Sequence, residues 1–134
     1  MMPTTFIMDT AFYGQLLLEP EKEKLINKIK TTKTFFIVGL DVIEKELFET
    51  PVHVTYRGES TRKLLITLFS SLVDKIDRLP PIANYLADEY LQKYKAIAKR
   101  REEAKLLRYG EPNLKTDFQI IAFASLKSID IVVE

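Results

Sequence analysis

The sequence predicts a three-layer α/β sandwich built around a small parallel sheet. Short apolar runs rich in β-branched and aromatic residues stand at Thr4–Met8, Phe35–Val38 and Ile129–Val133. None of them alternates with polar residues, which is the pattern of parallel strands covered on both faces. The segments between them carry helical periodicity and recognisable caps. Strand, helices, strand, helices, strand is the order of an α/β fold. No repeat, low-complexity stretch or flexible linker interrupts the 134 residues, so 1–134 reads as a single domain long enough to bury a core unaided.

In chain order, Thr4-Thr5-Phe6-Ile7-Met8 forms the first strand and Asp9-Thr10-Ala11-Phe12 opens the next helix, with Asp9 a good N-cap residue. Pro20 stands at a first helical position, followed by Leu25, Ile26 and Ile29. After the strand Phe35–Val38, a helix from Leu40 to Glu49 is ended by Pro51. Val52-His53-Val54-Thr55-Tyr56 alternates, as an edge strand or a loop would. Ser60 caps a helix whose stripe runs Leu64, Leu65, Leu68, Phe69, Leu72, Val73 and Ile76. Pro80-Pro81 precedes a long helix carrying Ile82, Leu86, Tyr90, Tyr94 and Ile97, ended by Gly110 and Pro112. Thr116 then caps a helix from Asp117 to Lys127 that is apolar nearly all round, in which small Ala122 and Ala124 permit close approach to the sheet.

The composition narrows the chemistry. A hydrophobic share of 46% with 29% charged residues is that of an ordinary globular protein. With no cysteine, disulfides and thiolate metal sites are excluded, and a cytoplasmic location is expected. The single histidine, His53, excludes any site that needs two imidazoles and reads as a loop or edge residue. No apolar run approaches the roughly 20 residues of a membrane span, and Met1-Met2-Pro3 lacks a basic signal-peptide start. The net charge of +1 identifies no partner.

Three acids stand out. Asp9 follows the first strand directly, and ligands of open α/β sheets bind outside the carboxyl ends of the strands. On a helical wheel at about 100° per residue, Val42, Ile43 and Leu47 form an inward stripe with Glu46 between Val42 and Ile43, while Glu44 points away. A carboxylate on an apolar face is costly unless it is paired or bound to metal. Asp117 falls in the first turn of the last helix, where a helix dipole favours it, and its wheel neighbours Ile121 and Ala124 incline it inward. Converging carboxylates without His or Cys select a hard cation, Mg²⁺ or Mn²⁺, which activates water and clamps phosphate oxygens in phosphodiester cleavage.

With these residues in place, the chain resembles a PIN domain, the fold of many prokaryotic RNA-cleaving proteins. Phe6-Ile7-Met8-Asp9-Thr10 resembles the opening strand and first acid. Asp41-Val42-Ile43-Glu44-Lys45-Glu46-Leu47 resembles the second motif, an acid followed by Leu on a helix. Thr116-Asp117-Phe118-Gln119-Ile120-Ile121-Ala122-Phe123-Ala124 resembles the third, with Val132-Val133 as the strand after it. The resemblance implies Asp9, Glu46 and Asp117 as catalytic metal ligands of a Mg²⁺- or Mn²⁺-dependent ribonuclease. It implies Thr10 as a hydroxyl touching substrate phosphate or metal-bound water, or simply helping to start the helix. An antitoxin-like protein or a second copy of the chain is the partner it suggests besides RNA. PIN domains usually place a fourth acid beyond the last strand, where this sequence stops at Glu134. The domain is therefore expected to lack its C-terminal end, to lack that acid, or to use Glu134 in its place; Asp130, at the start of the strand, is badly placed for the role.

RNA requires positive charge near the acids. Arg57, Arg62 and Lys63 beside the Ser60 helix are the candidate substrate contacts. Lys99, Arg100, Arg101, Lys105 and Arg108 form a second group, diluted by Glu102 and Glu103, that reads first as a solvated helix face. Tyr90, Tyr94 and Tyr109 have rings that stack on bases, but Tyr90 and Tyr94 fall on the core stripe. A different class of function is a catalytically degenerate PIN-like module that binds RNA or a protein partner and cleaves nothing. A dinucleotide-binding domain is disfavoured, because Asp9-Thr10-Ala11 offers no glycine-rich phosphate loop.

Overall fold

The computed structural model describes residues 4–100 and 111–132, without the side chains of 98–100 and 111–113. In chain order they form β1 (Thr4–Met8), α1 (Thr10–Leu18), α2 (Lys22–Thr31), β2 (Phe35–Leu40), α3 (Asp41–Phe48), β3 (Thr55–Tyr56), β4 (Glu59–Ser60), α4 (Thr61–Leu72), β5 (Lys75–Asp77), α5 (Pro81–Arg100), α6 (Glu111–Lys127) and β6 (Asp130–Val132). Two compact units result: one holds the chain up to Arg78 and from Ile129 onward, the other Leu79–Ser128.

The first unit is α/β. Its parallel sheet has the strand order β5-β2-β1-β6. β1 pairs with β2 through Thr4↔Phe35 to Ile7↔Val38, and with β6 through Phe6↔Asp130 to Met8↔Val132. Successive strand residues point to opposite faces, and both Ile7 and Met8 are buried, as are Ile37, Val38 and Leu40 of β2. Both faces of the central strands β1 and β2 are therefore covered, as their uninterrupted apolar runs predict, whereas the edge strand β6 has Asp130 exposed and Ile131 and Val132 only half-buried.

α1, α3 and α4 pack on one another, and α4 meets β2 at Gly39. A Cβ there would lie 2.6 Å from Phe69 Cζ and 3.0 Å from Val73 Cγ1, so only glycine admits the Phe69 ring to the sheet. Tyr13 of α1 packs its ring edge-on against Phe69 with centroids 5.3 Å apart. Ser60 caps α4 as expected, its hydroxyl accepting from the Lys63 N–H. The apolar stripe of α4 ends at Leu72, however, and Ile76 belongs to β5 rather than to the helix. Asp74 makes that turn: its carboxylate accepts from the Ile37 N–H at 2.7 Å while its own N–H donates to the Ile37 carbonyl at 2.8 Å. α2 starts at Lys22, two residues after Pro20, and buries none of its side chains, so its apolar positions form only a half-covered surface stripe. α3 begins at Asp41, because β2 runs on through Gly39 to Leu40.

The alternating Val52–Tyr56 segment contributes only Thr55 and Tyr56, paired antiparallel with Ser60 and Glu59. Arg57 and Gly58 make the connecting turn with φ of 54° and 82°. Two central residues at positive φ is the type I′ hairpin pattern, whose twist matches that of the strands.

The second unit is a pair of helices. Ala83 and Ala87 of α5 and Ala122 of α6 form a close-packed seam flanked by Leu79, Leu86, Tyr90 and Phe118. Ala122 thus serves the contact with α5. Gln119, nearly buried, donates to Asn84 Oδ1 at 2.9 Å, tying the two helices together through a satisfied polar pair. The expected stripe of α5 is corrected at its ends: Ile82 and Ile97 are exposed, and Ala83, Ala87 and Leu91 are buried instead. α6 starts at Glu111, with Pro112 in its first turn where proline is tolerated. Thr116 is therefore an interior residue and not a cap.

Gly39→Ala is expected to destabilise the protein by about 1–3 kcal/mol, the usual cost of overpacking. Gly14→Ala, in α1 with nothing within 4 Å of the added carbon, should stabilise by about 0.5–1 kcal/mol. Urea denaturation of both variants measures the contrast.

Candidate functional site

The strand order places a topological switch at β1. The chain moves from β1 outward to β2 and β5, then returns to β6 on the other side of β1. In open parallel sheets the crevice at such a point, beyond the carboxyl ends of the strands, is where ligands bind. Asp9 is the residue that stands there. It follows β1 directly, and its N–H donates to the Val132 carbonyl at the end of β6 at 3.1 Å.

Asp9 also caps α1, Oδ1 accepting from the Phe12 N–H at 2.9 Å. The cap fixes the carboxylate at the mouth of the sheet, half-buried, and the positive end of the helix favours its charge. Two hydroxyls accompany it on the first turn of α1. Thr10 Oγ1 and Tyr13 Oη are both buried and have no hydrogen-bond partner among the described residues. They stand three positions apart, on one face of the helix. The Tyr13 ring is wholly inaccessible. Burial, and then the negative charge of Asp9, push its hydroxyl well above the ordinary tyrosine range, so it stays protonated.

The other predicted ligands fall as follows. On α3 the buried residues are Ile43 and Leu47, and Glu46 lies half-exposed at the border of that stripe, as does Glu44. The wheel therefore overstates the burial of Glu46. Asp117 belongs to the second unit, where it is an exposed residue in the middle of α6. Its expected place in a first turn, facing inward, is corrected by the earlier start of that helix at Glu111. Among the described residues no group of three or more His, Cys, Asp or Glu side chains gathers as a metal site. Glu134 lies outside the described residues.

One acid escapes the sequence reading. Asp41 follows β2 as Asp9 follows β1. Extending the pairing Ile7↔Val38 by two residues puts Leu40 opposite Asp9, with Asp41 next. The signal is an Asp directly after an apolar run, but the sequence reading ends the strand at Val38 and starts the helix at Leu40, which puts Asp41 inside the helix. Asp77, at the end of β5, is neutralised by Lys75 at 3.1 Å.

The donor at this point is a hard carboxylate oxygen. Mg²⁺ keeps several of its waters and is usually held by one or two carboxylates plus substrate phosphates. The half-buried Asp9 carboxylate is one such donor, while the Thr10 and Tyr13 hydroxyls are enclosed by the protein.

The basic candidates lie on and beside the hairpin. Arg57 occupies the turn and lays its guanidinium over the Tyr56 ring, 5.3 Å from the centroid; Lys22 reaches the same ring at 5.7 Å. Arg62 donates to the Phe48 carbonyl at 3.3 Å, closing the end of α3, so this side chain has a structural task. Lys63 is exposed beside a shallow cavity of about 340 Å³ lined by Glu59, Ser60, Leu64 and Thr67. Tyr90 and Tyr94 pack against Phe118 with centroids 6.3 and 5.9 Å away, confirming that they serve packing. His53 is exposed in a turn. Of the second basic group, Arg101, Lys105 and Arg108 lie outside the described residues, as does Tyr109.

No family model matches the chain, and no curated protein or solved structure shows significant similarity to it. No helix among the described residues is long and apolar enough to cross a membrane.

Because Tyr13 holds its proton more tightly folded than unfolded, the folded state loses stability as pH rises above the unfolded value of about 10. Chemical denaturation of wild type and Tyr13→Phe from about pH 8 to pH 11 should show a shallower alkaline loss in the variant.

Proposed function

We propose that this chain is a PIN-like, divalent-metal-dependent ribonuclease centred on Asp9. The observation that carries the reading is the half-buried Asp9 carboxylate at the switch point of a parallel sheet, where it caps α1. A bound Mg²⁺ or Mn²⁺ supplies the Lewis acid that activates water and offsets charge on the scissile phosphate. Asp9 would hold the cation, with Glu46 or Asp41 of α3 as the second carboxylate of the first unit. The PIN motif also assigns Asp117 as a ligand, an assignment that its own substitution tests. The cations gathered on the hairpin, Arg57 and Lys22 over Tyr56 with Lys63 exposed nearby, support RNA as the substrate, since its backbone is negatively charged. Cytoplasmic location and an antitoxin-like or self-associating partner belong to the same reading.

A second reading, a PIN-like module that binds RNA or protein without cleaving, is favoured by one observation: no three acids gather among the described residues.

Melting curves with and without Mn²⁺ separate the two. A ligand bound only to the folded state stabilises by mass action. Mn²⁺ should raise the melting temperature of wild type, leave Asp9→Asn unmoved, and support cleavage of a single-stranded RNA only in wild type. Glu46→Gln and Asp41→Asn, compared in the same assay, identify the second carboxylate by the larger loss of Mn²⁺ response. Asp117→Asn should abolish cleavage if the motif assignment is right. If Mn²⁺ shifts wild type and Asp9→Asn equally, or neither, the metal reading fails and the binding module replaces it.

A further inference from the structure

β5 is an outer strand of the sheet, and among the described residues only β2 pairs with it. Backbone groups along a strand point alternately to its two sides. The Asp74 N–H donates to the Ile37 carbonyl of β2, so Ile76 turns the same way, and the N–H and C=O groups of Lys75 and Asp77 face outward. Such a row of groups is a template for another strand. The side chains add to it. Lys75 and Asp77 meet on one face at 3.1 Å, while Ile76 stands on the other, beside Gly39 in the register, and is 46% exposed.

Proteins blunt an edge of this kind with charges that repel a second copy. Here the charges do the reverse. The segment Asp74-Lys75-Ile76-Asp77-Arg78 is antisymmetric in charge about Ile76, and Asp74, Lys75 and Arg78 are exposed. Laid antiparallel on the same segment of a second copy, with Ile76 facing Ile76, it sets Lys75 against Asp77 and Asp74 against Arg78. Every charge then faces its opposite. In that register Lys75 and Asp77 exchange the outward backbone hydrogen bonds. Ile76 takes the position without them, where facing side chains come closest. Sliding the pairing either way puts Lys75 against Lys75 or Asp77 against Asp77, and like charges directly opposite are destabilising. The edge therefore matches itself, in one register.

We propose that β5 is a dimerisation edge, on which a second copy of this chain adds its own β5 antiparallel about Ile76, continuing one sheet across both copies. This assigns a surface and a register to self-association and does not depend on the metal reading. The edge is short, so it buries less than the roughly 1,200 Å² of a stable complex, and the dimer exchanges with monomer.

Sedimentation equilibrium of the full chain over a wide concentration range tests it. Wild type should dimerise as concentration rises, and less so in high salt, which screens the charge pairs. Lys75→Asp and Asp77→Lys, each alone, set like charges opposite and should stay monomeric where wild type is dimeric. Mixed together, the two variants should pair with each other, because each then faces its opposite charge. The double swap in one chain should restore the homodimer. A misfolded variant would do neither, and circular dichroism of each checks the fold. Wild type that remains monomeric at the highest concentration overturns the proposal. So does a dimer that both single variants retain, which places self-association on another surface. Single variants that are monomeric both alone and mixed also overturn it, since matched charge would then not hold the pair. None of these outcomes concerns Mn²⁺ or RNA cleavage, so this inference and the metal reading fail separately.

Discussion

Strand β1 bears ladders on both edges and apolar cover on both faces, and the first unit is organised by that demand. A five-residue strand in this position must find one partner on each side. β2 supplies one after two intervening helices; β6 supplies the other from the far end of the sequence. The ladder with β6 ends with the Asp9 N–H donating to Val132, so completing the sheet also fixes the residue that begins α1. The same backbone geometry that satisfies the strand thus aims a carboxylate out of the sheet's carboxyl edge.

A second constraint follows from packing. α4 reaches the sheet only because β2 carries glycine where the Phe69 ring lies. Phe69 in turn forms the surface on which Tyr13 is buried. A chain of contacts therefore runs from Gly39 through Phe69 to Tyr13. Edge-to-face aromatic pairs of this kind contribute about 0.5–1.5 kcal/mol beyond the area they bury. The apolar core sets the position of a polar group whose own hydrogen-bonding it does not satisfy.

The hairpin shows the opposite balance. It is short and exposed, and its turn places Arg57, a residue with no special preference for positive φ, where asparagine or glycine is favoured. Arg62 secures its base by capping α3, and Tyr56 gathers two cations over its ring. These contacts lie near solvent, where each contributes about 0.5–1 kcal/mol. They shape a surface more than they stabilise a fold.

What the sequence alone determined is local. The strands β1, β2 and β6, the Ser60 cap and the Asp9 cap were legible because each is written in adjacent residues: an apolar run, or a polar residue one turn before its N–H partner. Asp9 was legible as a site for the same reason, since strand end and helix start are neighbours in the chain. The rest depended on partners distant in sequence. The strand reads as ending at Val38, whereas β2 runs on through Gly39, which faces Phe69, to Leu40, and that length decides the place of Asp41. β5 is three residues long and becomes a strand because Asp74 ties it to Ile37. Thr116, an apt cap by residue type, lies inside α6 because the helix begins earlier, and that start moves Asp117 out of its first turn. Tyr13 could be read in the sequence as one more apolar side chain. Only the tertiary structure shows its hydroxyl buried within reach of the charge on Asp9, because burial is a property of a surrounding and not of a residue.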